Sequence, residues 1–81
     1  MEPNNIAIVE SRFELGNNIC WCPDVVYRHN YSIMYSYDKR RCDTLAKAVD
    51  VGKKLAQETK LPLYVSSKYL NRPETNGLTM F

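Results

Sequence analysis

Thr44-Leu45-Ala46-Lys47-Ala48-Val49-Asp50-Val51-Gly52-Lys53-Lys54-Leu55-Ala56-Gln57-Glu58-Thr59-Lys60, followed at once by Leu61-Pro62-Leu63-Tyr64-Val65, is the stretch that decides the fold. Leu45, Ala48, Val49, Gly52, Leu55, Ala56 and Thr59 recur at the i, i+3, i+4 spacing of one helical face. Lys47, Asp50, Lys54, Gln57 and Glu58 fall on the opposite side. The spacing predicts a helix over 44–60, with Asp43 or Thr44 as the N-cap whose oxygen satisfies an orphan first-turn amide. Gly52 costs about 1 kcal/mol of helix propensity. Its place on the apolar stripe predicts that the helix lies close against a sheet there. Pro62 bars helix continuation and pushes Leu61 toward extended backbone. Leu61, Leu63 and Val65 then alternate with polar or edge residues, which predicts a strand directly after the helix.

Upstream the period changes to two. Ile6 to Phe13 opens with a β-branched cluster and reads as a strand. Gly16-Asn17-Asn18 supplies residues that accept positive φ, so a turn is expected there. Ile19-Cys20-Trp21-Cys22 returns as a short strand, and Pro23-Asp24 is expected to end or kink it. Val25-Val26-Tyr27 follows. From Tyr31 to Tyr37 the chain alternates, with Tyr31, Ile33, Tyr35 and Tyr37 on one face and Ser32, Met34 and Ser36 on the other. Arg28-His29-Asn30 reads either as a turn between strands or as the middle of one bent strand. Asp38 to Arg41 is a charged connector. Residues 67–81 are a mostly polar tail in which Asn76-Gly77 predicts an edge hairpin.

The expected fold class is therefore α+β: a mostly antiparallel sheet of three to five strands with one amphipathic helix on one face. With 81 residues, one small domain over 1–81 is expected. From His29 to Val65 the chain resembles small bacterial and phage domains of unknown function. In these a strand pair leads through a cap such as Asp43-Thr44 into an alanine-containing helix like Leu45 to Ala56, then a closing strand like Leu61 to Val65. The resemblance implies this fold and a small accessory role, and it carries over no functional residue.

The apolar fraction of 44% and charged fraction of 25% are ordinary for a folded chain, which argues against overall disorder. Eleven basic and nine acidic residues leave a formal charge of +2, too weak by itself to argue for nucleic acid. No apolar run approaches the roughly 20 residues that cross a bilayer, and no secretory leader is visible at Met1 to Asn5. A reducing cytoplasm with Cys20, Cys22 and Cys42 as thiols is the expected setting.

Cys20, Cys22, His29 and Cys42 are conceivable metal ligands, but zinc needs four donors at about 2.0–2.3 Å in a tetrahedron, and Cys-x-Cys is not the usual spacing. Trp21 and Pro23 make that segment look like packed strand. No metal and no cofactor are expected. His29, in a turn between Arg28 and Asn30, reads as a surface histidine rather than the base of a Cys–His pair. Three scattered glycines make no phosphate loop. No catalytic set emerges, so the chain is not expected to be an enzyme.

The cluster that stands out is Tyr27, Arg28, Tyr31, Tyr35, Tyr37, Lys39, Arg40 and Arg41. Tyrosine and arginine are enriched at protein hot spots. The same pair of residue types can stack bases and neutralise phosphates. The plainer reading has Ile33's face covered by the helix and the tyrosines bordering the core. The expectation carried forward is a protein partner bound by this surface, with nucleic acid as the alternative and a homodimer as a further possibility for so small a core. Small phage or mobile-element inhibitors have this profile.

Overall fold

The computed structural model describes residues 1–36 and 44–81, and of Phe13 and Leu15 the backbone alone. Expectations that rest on Tyr37, Lys39, Arg40, Arg41 and Cys42, the charged connector and the Asp43 cap lie outside the described residues.

Three strands come first: β1 (Asn5–Leu15), β2 (Asn18–His29) and β3 (Ser32–Ser36). The helix α1 (Leu45–Thr59) follows, then β4 (Leu63–Val65), two single 3-10 turns (Ser67–Tyr69 and Pro73–Thr75) and β5 (Thr79–Met80). The sheet order is β3-β2-β1-β4-β5. β1, β2 and β3 are antiparallel neighbours, whereas β4 runs parallel to β1 and β5 parallel to β4. The sheet is thus mixed, which corrects the expectation of a mostly antiparallel one. The cause is the connection: a helix between β3 and β4 returns the chain so that β4 starts beside the start of β1, and a parallel pair results. The tail departs from a hairpin for the same reason. Its two 3-10 turns bring the chain back across, and β5 joins β4 in parallel.

α1 forms where its periodicity places it. Thr44 is the N-cap, its Oγ1 accepting from the Lys47 amide at 3.2 Å. Lys60 ends the helix in the left-handed region at φ 61°. Ala48, Val49 and Gly52 are buried against Ile6 and Ile8 of β1, Val25 of β2 and Val65 of β4, with Tyr69 closing the end. These side chains share one face of the sheet because directly opposed residues do: Ile6 faces Tyr27 and Leu63, and Ile8 faces Val25 and Val65.

The β1–β2 hairpin turns at Gly16-Asn17, where Gly16 takes φ 61° in a two-residue loop. Glycine at the first loop position with positive φ suits a type II′ turn. β2 does not stop at Pro23, contrary to expectation; Pro23 sits opposite Glu10 in the ladder. Among the described residues, β3 pairs with β2 only over Val26 to His29, so no described strand calls on the missing Pro23 amide from that side.

The second face of the sheet has a small core of its own. Ala7, Val9 and Val26 are buried there under Phe81. Buried Asp24 lies on this face and accepts hydrogen bonds from Ser11 Oγ (3.0 Å) and Ser36 Oγ (2.7 Å). A buried carboxylate needs such donors to offset its lost hydration.

Candidate functional site

The chain passes from β2 to β3 through Asn30 and Tyr31, at φ 53° and 70°. Two successive positive φ values make a type I′ turn, whose geometry matches the twist of a hairpin. Asparagine accepts this readily, but a bulky tyrosine there is a genuine outlier. The turn is held by the N-terminal segment. The Asn30 amide donates to Asn4 Oδ1 (3.0 Å) and the Tyr31 amide to the Pro3 carbonyl (2.9 Å). The Tyr31 hydroxyl donates to the Met1 carbonyl (3.2 Å), and Arg28 Nη2 donates to the Tyr31 carbonyl (2.9 Å). The Glu2 amide donates to the Tyr64 hydroxyl (3.1 Å), tying the same segment to β4. Strain of this kind persists where surrounding contacts over-determine it.

Beyond the turn, Tyr27 and Arg28 are adjacent in β2, but their partners Tyr35 and Ile33 have Met34 between them. This one-residue bulge breaks the expected alternation. Tyr35 faces Tyr27 on the helix side, and Ile33 faces Arg28 on the other side. Tyr31, Ile33 and Tyr35 therefore do not share one face. Nor is Ile33 covered by the helix: Ile33 and Met34 are each 58% exposed, and Tyr31 and Tyr35 each 52%. Tyr27 is half-buried, its ring 5.3 Å from that of Tyr35 and 6.2 Å from that of His29. The Tyr27 hydroxyl and His29 Nδ1 stand 3.3 Å apart on the surface.

Arg28 faces inward. It is buried, with its guanidinium carbon 4.3 Å from the centre of the Phe81 ring and Nη1 3.9 Å from Met1 Sδ. Its charge is engaged by the turn carbonyl and an aromatic face, so it holds the site together rather than reaching out of it. Of the eight sequence-derived residues, the structure brings together Tyr27, Arg28, Tyr31 and Tyr35. Tyr37, Lys39, Arg40 and Arg41 lie outside the described residues. Ile33 and Met34 belong to the exposed surface and were missed, because an uninterrupted alternation assigns one of them to the core.

Cys20 and Cys22 are half-buried on the side of β2 opposite Trp21. Among the described residues, no three His, Cys, Asp or Glu come together as metal ligands, and no helix is long and apolar enough to cross a membrane. An open cleft of about 530 Å³ in the β4–β5 connection is lined by Leu70 to Pro73 and Thr75 to Leu78, with Arg72 its one charged residue. Trp21, read as packed strand, is instead 60% exposed, and Ile19 56%. Comparison with protein-family models, with curated proteins and with solved structures finds no match.

Proposed function

We propose that this chain is a non-enzymatic accessory protein that works by binding another protein through the β2–β3 turn and β3. One observation carries the reading: Tyr31, Ile33, Met34 and Tyr35 stand out together within five consecutive residues, each more than half exposed. Large side chains on a pinned turn lose little conformational freedom on binding, which is what hot-spot residues need. The bulge at Met34 favours recognition by side chains over addition of a partner strand, because an irregular edge pairs poorly. The inhibitor role that the chain's size and resemblance suggest is a special case of this reading.

Nucleic acid is the second reading, and the inward position of Arg28 weighs against it. Phosphate contacts would then fall to Lys39, Arg40 and Arg41. The partner is to be captured from host lysate with and without nuclease, then titrated against Tyr35→Ala and Arg40→Ala/Arg41→Ala at two salt concentrations. For a protein partner, Tyr35→Ala costs about 2 kcal/mol, and the double arginine variant changes mainly association rate and salt sensitivity. Salt-dependent binding to generic single strands that survives Tyr35→Ala would overturn the proposal.

A further inference from the structure

β4 pairs with β1 only over Ile6 to Ile8, and β3 with β2 only over Val26 to His29. Among the described residues, the hairpin from Arg12↔Trp21 to Leu15↔Asn18 therefore has no third strand on either side. A twelve-residue strand spans about 40 Å, and the molecule is 38 Å in its longest dimension. The hairpin thus reaches past the part that α1 covers. Two-stranded ribbons without a covering layer are marginal in water.

The side of this ribbon that continues the helix face carries four described side chains. Arg12 and Glu14 lie on β1, Trp21 and Ile19 on β2, with Arg12 opposite Trp21 and Glu14 opposite Ile19. Trp21 and Ile19 are its exposed apolar half. Arg12 Nη2 and Glu14 Oε1 are 3.2 Å apart on the exposed charged half. A closed two-fold dimer requires one patch to complement itself, and this patch does. A second copy laid face to face, related by a two-fold axis running across the strands between the two residue pairs, sets Arg12 over the other copy's Glu14. It also sets Glu14 over the other Arg12, Trp21 over the other Ile19, and Ile19 over the other Trp21. All four matches follow from one axis.

We infer that the ribbon tip is a self-association surface, its occupant a second copy of this chain. The patch is small beside the roughly 800 Å² per partner of a standard interface, so the dimer is weak, with a dissociation constant on the order of 10⁻⁴ M. It is separate from the β2–β3 surface, and two copies joined at their tips carry two such surfaces.

Sedimentation equilibrium at concentrations up to about ten times that constant tests the inference. The wild-type chain dimerises, and Trp21→Ser, an exposed site whose change leaves the circular dichroism intact, weakens the dimer at least about tenfold. Arg12→Glu makes the charged half wholly acidic and Glu14→Arg makes it wholly basic, so each alone weakens association by about tenfold. An equimolar mixture of these two variants restores it to within about threefold of wild type, because Arg12 and Glu14 pair between copies. A wild-type chain that stays monomeric throughout, or a mixture that associates no better than its components, overturns the inference. Either result leaves the partner reading of the β2–β3 surface intact, since that reading fails only through Tyr35→Ala and the salt series.

Discussion

Gly52 offers the sharpest test of how the helix meets the sheet. A Cβ added there would lie 3.0 Å from Leu63 Cδ1 and 3.5 Å from both Cδ1 and Cγ1 of Ile8. The Ile8 distances are ordinary contact, but 3.0 Å forces Leu63 to retreat. Gly52→Ala therefore sets two effects against each other. It gains about 1 kcal/mol of helix propensity, and it drives a half-buried leucine off its preferred rotamer at a cost of about 0.5–1.5 kcal/mol. The two nearly cancel, and Gly52→Ala changes stability by less than about 0.5 kcal/mol. In a Leu63→Ala background the opposing methyl is gone, and the same change stabilises by about 1 kcal/mol. Gly52→Leu overfills the contact and costs about 1–3 kcal/mol or more. Urea unfolding followed by far-ultraviolet circular dichroism on the four members of the cycle gives the coupling directly. A full gain of about 1 kcal/mol in both backgrounds, with no coupling, refutes the close approach of α1 to β4.

Three further outcomes follow from the same packing. Val49→Asp places an unpaired carboxylate in the core beneath α1 and unfolds the domain, whereas an unchanged thermal midpoint would rule out the assigned helix face. Tyr31→Gly relieves a backbone strain of about 1 kcal/mol at φ 70° and leaves stability equal or higher while weakening partner binding; a large loss of stability would show that the turn serves folding instead. Burial, reinforced by the nearby Glu10 and Cys22 and opposed by Arg72, pushes the Tyr69 hydroxyl from 10.0 to about 12. The folded chain keeps this proton where the unfolded chain releases it, so the contribution is complete below about pH 10 and is lost as pH rises through 12. The urea midpoint falls less between about pH 8 and about pH 11.5 for Tyr69→Phe than for wild type, and equal falls would count against the raised Tyr69 hydroxyl.

The parts of this fold that are legible in the sequence are those decided locally. Thr44, the Leu45–Ala56 stripe and Pro62 fix α1 and the strand after it within one short window, and Gly16-Asn17 fixes the first hairpin. What the sequence leaves open is decided over longer distances. Whether β4 runs parallel to β1 depends on where a helical crossover lands, not on Leu63, Tyr64 or Val65. Pro23 stops a strand only where a neighbour needs its missing amide, and among the described residues no strand on the β3 side reaches it. The Tyr31–Tyr37 alternation predicts a regular strand, yet the type I′ turn takes Tyr31 for itself and the bulge at Met34 shifts the faces. Half the candidate site was legible for a compositional reason, the density of tyrosines. Ile33 and Met34 were not, because their exposure depends on β3 lying at the end of the sheet.

The exposure of so many large side chains on so small a chain has one geometric source. α1 is 15 residues long, about 22 Å, and lies over β1, β2 and β4. The far face is closed by a different device, Phe81 over Ala7, Val9 and Val26, with Arg28 stacked on its ring. Among the described residues, neither cover shields Ile33, Met34 and Tyr35 of β3 or Ile19 and Trp21 near the hairpin tip. A core this thin has no surplus apolar surface to spend on ornament, since every uncovered Trp, Ile or Tyr is burial forgone. The two uncovered regions are also unlike each other. At β3 the exposed residues follow a strained turn that three residues of the N-terminal segment, Met1, Pro3 and Asn4, hold in place, an arrangement suited to a fixed shape read by something else. At the tip, apolar and charged halves balance across the inferred two-fold axis, an arrangement suited to a copy of itself. A single mutation series on Tyr35 and Trp21, read in separate assays for partner binding and for self-association, separates the two: each change weakens one association at least about tenfold and leaves the other untouched.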